Sequence, residues 1–396
     1  MRRYRLATIL CGFALILTGA TIAGSDTPPG FGDPLPGLSK AQLDVFQEGS
    51  LDFQEVETVE DGLGPVFNDV SCVACHRGPG DKVGGSNGTL ETRFGRLKPD
   101  GSFDPMVEFG GSLLQVQAIA GFTAEGDPPG VRPPKEATIV AHRRTTPLFG
   151  LGLVDSVPDS TFEAIARLQA RFTPETAGRP NRVMNLTTNQ IVIGKFGWKA
   201  QVPTLFQFAG DAYLNEMGIT NPQFPNENCP QGNCAALVEN PAPGLNDNGD
   251  GVNNFTNFMT LLGPPPRGPI TRDVVAGGVI FTALGCANCH VPALQTGRHD
   301  VRALSNETFF PFSDFLLHDM GKLGDGIEQG LATGREMRTA PLWGLRANPS
   351  FLHDGSAPTI KEAILAHEGQ GAAARDRFKK LSSDAMAKLL EFLNSL

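Results

Sequence analysis

The sequence lacks an excess of basic residues and, beyond its first 23 residues, a long apolar stretch. It has 396 residues but only two Trp and two Tyr, and its formal net charge is −9. This acidic balance excludes the strongly basic surface on which most nucleic-acid-binding proteins depend. Beyond the segment 1–23, no stretch is long and apolar enough to cross a bilayer, which argues against a membrane protein with several spans.

The segment 1–23 has the composition of a targeting signal. Three arginines precede an apolar run at 6–17, and small residues follow near Ala20 or Ala23. This pattern is typical of a secretory signal peptide, and the run is short for a membrane span. We therefore expect export to the periplasm and no transmembrane span after signal cleavage.

Four of the seven cysteines lie in two copies of one short motif, C-x-x-C-H. The first copy contains Cys72, Cys75 and His76, and the second contains Cys286, Cys289 and His290. This spacing is typical of c-type haem attachment, in which both thiols bond to one porphyrin edge and the histidine binds the iron. One copy alone is also compatible with a zinc half-site or a redox dithiol. Two copies in an exported chain favour two covalently bound haem c groups, with His76 and His290 as iron ligands.

Of the other three cysteines, Cys11 lies in the predicted signal peptide, and Cys229 and Cys234 lie in the sequence CPQGNC. In an oxidising compartment this pair predicts a disulfide that closes a tight loop. Two free thiols are the alternative.

The positions of the motifs predict a mainly α protein with two cytochrome c-like haem lobes, long loops and an inserted irregular middle section. Glycine and proline are abundant, with 47 and 31 residues, as expected where haem takes the place of part of a protein core. We place the N-terminal haem lobe at 24–180, the middle section at 181–263 and the C-terminal haem lobe at 264–396. The middle section carries no haem motif.

A second repeat lies downstream of each haem motif. RTTPLFGLG at 144–152 and RTAPLWGLR at 338–346 match at six of their first eight positions. Each is followed by a predicted helix that begins with a capping box, at Ser160 to Glu163 and at Thr359 to Glu362. Repetition of this extent indicates two related haem domains.

Alignment of the halves on these capping boxes pairs His367 with Leu168. His367 lies at helical spacing from Ala363 and Ile364, so it projects from the apolar face of its helix. We predict that His367 is the sixth ligand of the C-terminal haem iron, with Met320 as the alternative. Leu168 cannot bind iron. The prediction is therefore a closed, six-coordinate C-terminal haem and an open N-terminal haem.

Several longer motifs carry a resemblance to a known family. They are GGSNG, FGWKA, MGITNPQFP, LLHDMG, RTAPLWGL and FLHDGSAPTIKEAILAH. Together they resemble the di-haem oxidoreductase branch, also called thiol oxidoreductase, of the bacterial di-haem cytochrome c peroxidase superfamily. The resemblance covers nearly the whole chain after the signal. It implies that the second lobe passes electrons from a donor to the first lobe, whose haem reacts with hydrogen peroxide.

The resemblance also concerns ligands and partners. In the superfamily, the second haem is bound by the residue fourteen positions after the histidine of an F-H-x-G type motif, and counting from His353 this residue is His367. Bis-histidine ligation departs from the Met or Tyr of relatives and is expected to lower the potential of that haem. The implied partners are hydrogen peroxide or another small oxidant, and a small redox protein (cytochrome c or a cupredoxin) as electron donor.

Four further residues are candidates for the chemistry. His142 is a candidate distal acid or base or a displaceable ligand, with an exposed neutral role as the alternative. Arg144 is expected to polarise bound peroxide or, as its match to Arg338 favours, to pair with a haem propionate. Trp198 and Trp343 are candidate electron relays between the haems, against plain packing. The proton-transferring acid stays open among four residues, Glu108, Glu125, Glu136 and Glu163.

The sequence NDNGDGVNN at 246–254 resembles a calcium-binding loop. Asn246, Asn248 and Asp250 offer oxygen ligands, but the twelfth position is Asn257 and not the bidentate Glu of a strong site. The superfamily holds a calcium ion between its lobes, so calcium is a possible second cofactor. A loop turn without an ion is the alternative.

The leading interpretation is a periplasmic di-haem oxidoreductase of peroxidase type. The first alternative is an electron-transfer cytochrome in which both irons are closed. The second is an oxidase or oxygenase that uses the open haem on an organic or protein substrate.

Overall fold

The computed structural model describes residues 29–119, 121–122 and 132–396. The predicted signal peptide and Glu125 lie outside these ranges. Nine α-helices are present among the described residues: α1 Lys40–Asp52, α2 Leu151–Asp155, α3 Asp159–Phe172, α4 Leu205–Met217, α5 Asp250–Leu261, α6 Arg272–Ala283, α7 Ile360–Ala366, α8 Ala372–Phe378 and α9 Ser383–Asn394. No helix within these ranges has the length and apolar character needed to cross a membrane.

Short strands accompany the helices, so the mainly α expectation is confirmed only in part. The strands are β1 Val66–Phe67, β2 Leu90–Leu97, β3 Phe103–Asp104, β4 Leu113–Leu114, β5 Gln117–Ala118, β6 Ile139–Arg144, β7 Arg182–Asn185, β8 Gln190–Ile193, β9 Leu294–Gln295, β10 Thr308–Phe309, β11 Leu317–Asp319 and β12 Glu336–Arg338. All strand pairs are antiparallel, and the largest sheet joins β2 to β3, β4 and β6.

The helices α1 and α5 pack against each other in the N-terminal half. The helix α1 begins at a capping box in which Ser39 accepts from the backbone of Gln42. It packs against α5, where Phe46 and Phe258 have ring centroids 5.3 Å apart. The Asn254 amide donates to Asp52 across the pair at 2.5 Å. These contacts anchor the larger hydrophobic core, which surrounds the first C-x-x-C-H motif.

The C-terminal half repeats this arrangement with α6 and α9. Phe281 and Phe392 have ring centroids 5.3 Å apart, and the Thr271 hydroxyl donates to Glu391 at 2.6 Å. Gly277 lies against the backbone of Lys388, where a Cβ would clash, so the two helices approach closely. This pair anchors a second hydrophobic core, and the second motif follows α6 directly.

The middle section, predicted to be irregular, contains the helices α4 and α5. Most of α4 is buried, and it ends at Gly218, whose φ of 70° is in the left-handed region. Polar residues interrupt the apolar pattern of α4, which therefore carries only a weak amphipathic signal, while α5 has an apolar face at Val252, Phe255 and Met259 but contains three Asn, which have low helical propensity. Because α5 packs on α1, this part of 181–263 joins the N-terminal half.

Neither predicted capping box forms completely, because the Glu362 carboxylate accepts from the Thr359 hydroxyl at 2.8 Å and not from its backbone amide. Thr359 accepts from the backbone of Glu362 at 3.2 Å and caps α7. Ser160 instead lies inside α3, which begins at Asp159 without a side-chain cap. Glu163 is therefore not used as a cap, and it pairs with Arg182 at 2.8 Å.

The predicted disulfide is present. Cys229 and Cys234 are bonded, with their Cα atoms 4.5 Å apart. The loop that they close packs against the segment at Glu108 to Gly110. The remaining cysteines in the described part of the chain are the four of the C-x-x-C-H motifs, and they are unbonded.

Candidate functional site

Each C-x-x-C-H motif lines a cavity of its own. We call the cavity at Cys72, Cys75 and His76 the N-terminal cavity, and the cavity at Cys286, Cys289 and His290 the C-terminal cavity. Both cavities have the same volume, about 230 Å³. In both motifs the chain makes a single 3₁₀ turn from the first cysteine onward, and both thiols line the cavity.

The motif histidines are neutral and ready to bind a metal through one ring nitrogen. Burial lowers the pKa of His76 and of His290 to about 4. The Nδ1 atom of His290 lies 3.0 Å from the carbonyl oxygen of Phe312, which fixes Nδ1 as the protonated atom and leaves Nε2 with its lone pair. His76 has a buried Nδ1 with no hydrogen-bond partner in the described structure.

The motif cysteines fit haem attachment better than they fit the two alternatives. Burial raises the pKa of Cys75 to about 11 and that of Cys286 to about 12, so neither thiol is a ready thiolate nucleophile. Within residues 29–119, 121–122 and 132–396, no cluster of three His, Cys, Asp or Glu side chains could hold a metal ion. A zinc site and a redox dithiol are therefore poorly supported. Thiols and imidazole on the wall of a large apolar cavity suit a covalently attached haem.

His367 lies on the wall of the C-terminal cavity, together with His290 and Met320. The helix α7 ends at Ala366, so His367 is the residue that caps it, and its Nδ1 lies 2.8 Å from the carbonyl oxygen of Ala363. Burial lowers the pKa of His367 and keeps the imidazole neutral. The neutral imidazoles of His290 and His367 thus line one cavity, whose wall also includes His318 and His353.

Positive charge dominates the wall of the C-terminal cavity. Its lining includes four arginines and no carboxylate: Arg144, Arg338, Arg375 and Arg377. Burial lowers the pKa of Arg144 and of Arg338 to about 10, and the buried Nε of Arg144 has no partner in the described structure. Buried guanidinium groups without a carboxylate partner are costly, and a bound anion would offset that cost. The propionates of a haem would satisfy them.

The N-terminal cavity differs in that carboxylates line it together with arginines. The charged residues of its lining are Asp69, Glu91, Arg93, Arg143, Arg144, Asp211 and Glu216. Arg93 forms a two-pronged ion pair with Glu91, with the shorter contact at 2.8 Å. The Glu216 carboxylate accepts from the side-chain amide of Asn68 at 2.6 Å. These contacts hold several acidic side chains at one wall.

Two of these carboxylates have pKa values close to neutrality. Burial, followed by the nearby charge of Glu91, raises the pKa of Glu216 to about 7. Burial raises the pKa of Asp211 to about 6, although Arg93 opposes the shift. A carboxyl group with a pKa near the working pH can both accept and return a proton.

Sequence reasoning missed Asp211 and Glu216 because it did not predict α4. Of the four glutamates considered before, Glu125 lies outside the described residues, and none of Glu108, Glu136 and Glu163 lines the N-terminal cavity. Glu108, for example, is exposed and pairs with Arg96. The available signal was two acidic residues in a largely apolar segment, since such residues rarely lie in a mostly buried helix without a role.

Trp198 and Arg144 line both cavities. The Trp198 indole donates to the carbonyl oxygen of Arg144 at 2.8 Å, and the backbone amide of Arg338 donates to the carbonyl oxygen of Trp198 at 2.8 Å. The two repeat arginines therefore hold one tryptophan from both sides. The repeats also match in backbone, since Gly150 and Gly344 have φ values of 71° and 70°.

Two other predicted site residues lie away from the cavities. His142 is exposed on β6 and its Nδ1 contacts the hydroxyl of Thr92 at 3.1 Å, so it lines neither cavity. Trp343 packs against Phe309 with ring centroids 5.8 Å apart and also lines neither. Since a distal acid or a relay must reach a cavity, the roles predicted for His142 and Trp343 are not supported.

Leu168 does not occupy the position that the repeat alignment gave it. Its side chain is 56% exposed on α3, a helix that does not line the N-terminal cavity. The alignment depended on a cap at Ser160 that does not form. The support for an open N-terminal iron is therefore the cavity itself. Its lining contains one histidine, His76, and so offers no second imidazole as an iron ligand.

The loop at 246–254 does not gather its oxygens as a calcium loop does. The Asn246 side chain accepts from Thr220 at 2.7 Å, while Asn248 and Asp250 bond to each other at 3.0 Å. Asp247 accepts from the backbone of Gly251 at 3.0 Å, at the start of α5. The calcium prediction is not supported, because these side chains satisfy the loop and the helix end.

Comparison with known proteins gives one informative match. The family model described as "Di-haem oxidoreductase, putative peroxidase" matches residues 134–396, more than half of the chain. No curated protein matches the chain.

Solved structures are similar at low identity. A hydrazine synthase of Kuenenia stuttgartiensis is 14% identical, with a TM-score of 0.40, and the match covers 96% of this chain and 98% of that one. A MauG-like protein associated with microbial copper homeostasis is 15% identical, with a TM-score of 0.40 and 94% of each chain covered. The diheme peroxidase BthA of Burkholderia thailandensis is 12% identical, with a TM-score of 0.40, and the match covers 93% of this chain and 89% of that one.

Proposed function

This chain belongs to the di-haem oxidoreductase family, and from that premise we propose that it is a periplasmic peroxidase-type enzyme with two covalently bound haem c groups. In this proposal, electrons from a small redox protein enter at the C-terminal haem and pass to the N-terminal haem, where hydrogen peroxide is reduced. One observation carries the proposal. Two equal cavities, each walled by a C-x-x-C-H motif, meet at Trp198.

The residues of each motif have separate tasks in this proposal. Cys72 and Cys75 would attach one haem and Cys286 and Cys289 the other, through thioether bonds. His76 and His290 would bind the irons, and the contact of His290 with Phe312 fixes its orientation. When bound, the two groups supply the redox-active iron that exchanges electrons and reduces peroxide.

The acidic wall of the N-terminal cavity supplies the proton chemistry. Reduction of peroxide to two waters requires a proton to move from one oxygen to the other as the O–O bond breaks. Glu216 is suited to this transfer because its pKa is about 7 and Asn68 fixes its carboxylate. Asp211 lies on the same helix and lines the same cavity, so it is the candidate for exchange of protons with the first group.

The difference between the two cavities supports an asymmetric pair. We propose that His367 closes the C-terminal iron, with the neighbouring arginines holding the propionates. In the N-terminal cavity, carboxylates take the place of a second imidazole. A wall of this kind leaves room for a small oxidant and provides it with proton donors.

Trp198 is the proposed electron relay. Trp198 lines both cavities, and its indole and carbonyl are held by Arg144 and Arg338. Fixed orientation favours fast electron transfer because the distance between the partners does not fluctuate.

The function is tested by mixing the purified holoprotein with a reduced cytochrome c and hydrogen peroxide. Peroxide-dependent oxidation of the cytochrome is expected, with no oxygen uptake when peroxide is omitted. Oxygen uptake with an organic reductant and no response to peroxide would instead indicate an oxidase or oxygenase.

Replacement of Trp198 by Phe is expected to slow peroxide-dependent donor oxidation by roughly 10²-fold, the order of loss seen when a positioning group is disturbed. The ring that lies between the cavities becomes smaller and loses its hydrogen bond to Arg144. Stopped-flow absorbance of the two haems measures the electron transfer between them directly. Trp343→Phe is the matched control and should leave the rate unchanged. Equal rates in both variants would contradict the relay.

A further inference from the structure

A buried tyrosine–carboxylate pair lies beside the N-terminal cavity. The Tyr213 hydroxyl donates to Oε1 of Glu57 at 2.8 Å, and the two side chains are 7% and 8% exposed. Tyr213 lies on α4, and Glu57 lies in the loop between α1 and the first motif. The backbone amide of Glu57 donates to Val70 at 2.8 Å, which fixes the loop.

The Tyr213 ring forms part of the wall of the N-terminal cavity, as do Cys72 and His76. It packs edge-on against Phe255, with ring centroids 4.9 Å apart. The sequence has two tyrosines, and Tyr4 lies in the predicted signal peptide. Tyr213 and Trp198 are therefore the two easily oxidised aromatic side chains on this cavity.

Loss of an electron makes a phenol strongly acidic, so a buried tyrosine is oxidised readily only when a base can take its proton. Glu57 is at hydrogen-bond distance for that transfer. After the transfer, the pair holds a neutral radical and a neutral acid, which removes the buried carboxylate charge.

The protonation states of Tyr213 and Glu57 before oxidation agree with a proton transfer from the phenol to the carboxylate. Burial raises the pKa of Glu57, which makes its carboxylate a better proton acceptor, although the hydrogen bond from Tyr213 opposes the shift. Burial, together with the charge of Glu57, raises the pKa of Tyr213, so the hydroxyl keeps its proton until the ring is oxidised.

We propose that Tyr213 and Glu57 form a proton-coupled one-electron donor to the N-terminal cavity, an inference that rests on the proposed peroxidase function. Reduction of one hydrogen peroxide to two waters takes two electrons and two protons, the protons coming from solvent. When the protein holds only one stored electron, Tyr213 supplies the second. The O–H bond of Tyr213 breaks, an O–H bond forms on Glu57, and a neutral tyrosyl radical remains until a donor returns the electron.

The test uses the holoprotein reduced by one electron per molecule and treated with one equivalent of hydrogen peroxide. The sample is frozen for EPR while peroxide consumption is followed in parallel. We expect a tyrosyl radical, identified by the change in its hyperfine pattern when the tyrosines are ring-deuterated. The signal should be absent in Tyr213→Phe and unchanged in Trp343→Phe.

Glu57→Gln tests the base and keeps the phenol together with a hydrogen-bond acceptor. The rate of radical formation should fall roughly 10²-fold, the lower end of the range for loss of a general base. This variant also stands in for Tyr213→Phe if that protein does not fold. An unchanged rate in Glu57→Gln would overturn the proposed role of the carboxylate.

A second oxidation, by a photo-excited ruthenium complex and without peroxide, separates this inference from the proposed function. Peroxide consumption without a Tyr213 radical would overturn the inference and leave the peroxidase function intact. A photochemical Tyr213 radical without peroxide consumption would support the pair and overturn the peroxidase function. The absence of the radical under both oxidants would overturn the inference.

Discussion

Glu216→Gln is expected to lower the rate of peroxide reduction by roughly 10²- to 10⁴-fold, the range for loss of a general acid–base group. The substitution keeps the size of the side chain and an oxygen that accepts from Asn68, but it cannot accept a proton. Electron transfer between the haems should stay close to that of the unmodified protein, because Glu216 does not line the C-terminal cavity.

The pH profile gives this prediction a second measurement. If Glu216 must accept a proton from peroxide, the rate in the unmodified protein should rise as pH increases through its pKa of about 7. That step should be lost in Glu216→Gln. Glu108→Gln is the control, since Glu108 is exposed and lies outside the cavity. An unchanged rate and profile in Glu216→Gln would assign the proton transfer to another group, with Asp211→Asn as the next variant.

Asp325→Asn is expected to destabilise the protein by about 3–5 kcal/mol, the cost of leaving buried charge without its partner. The Asp325 carboxylate contacts Nε of Arg143 at 2.7 Å and Nζ of Lys199 at 2.9 Å, and all three side chains are at most 1% exposed. Arg143 belongs to β6 of the N-terminal half, and Lys199 follows the proposed relay Trp198. One carboxylate therefore pairs with two buried cations and joins both halves of the chain.

The contribution of Asp325 to the stability of the fold should be fully present at neutral pH. Burial raises the pKa of Asp325, but Arg143 and Lys199 lower it further, so the net shift is downward. A carboxyl group with a lowered pKa contributes stability above its unfolded pKa and loses it as pH falls through the folded value.

Denaturant unfolding followed by fluorescence measures the change for Asp325. Asp384→Asn is the matched control, because Asp384 is exposed and forms a helical ion pair with Lys388 that solvent screens, so its loss should change the stability very little. Equal midpoints in the two variants would show that the buried cluster carries no special stability.

The grouping of the motif cysteines and histidines and the disulfide could be predicted because each depends on local spacing, while covalent attachment of haem stays a proposal. A C-x-x-C-H run places two thiols and an imidazole on one short turn, whatever the sequence of the following residues. His367 could likewise be predicted to reach the C-terminal cavity, since it follows an apolar helical face that must pack against something. Its bond to iron stays a proposal.

The N-terminal cavity could not be predicted in the same way because its wall comes from distant segments. Glu91 lies on β2, Asp211 and Glu216 lie on α4, and Tyr213 meets Glu57 from far along the chain. Sequence periodicity carries no information about which of two distant segments meet. Trp198 and Trp343 both lie in family motifs, and only the three-dimensional packing separates them.

Local signals also failed where tertiary contacts outweighed them. Ser160 and Glu163 have the spacing of a capping box, but α3 starts one residue earlier and Asp159 bonds to the backbone of Ile193 at 2.9 Å. The helix α5 contains residues of low helical propensity and is stabilised by packing against α1.

Low-temperature EPR of the fully oxidised holoprotein tests the central claim, an open N-terminal haem beside a closed C-terminal haem. We predict one high-spin and one low-spin ferric signal of equal intensity, and the loss of the low-spin signal in His367→Ala. Two low-spin signals in the unmodified protein, without reaction with peroxide, would contradict the claim and indicate an electron-transfer cytochrome. A low-spin signal that survives in His367→Ala would remove His367 as the ligand and point to Met320.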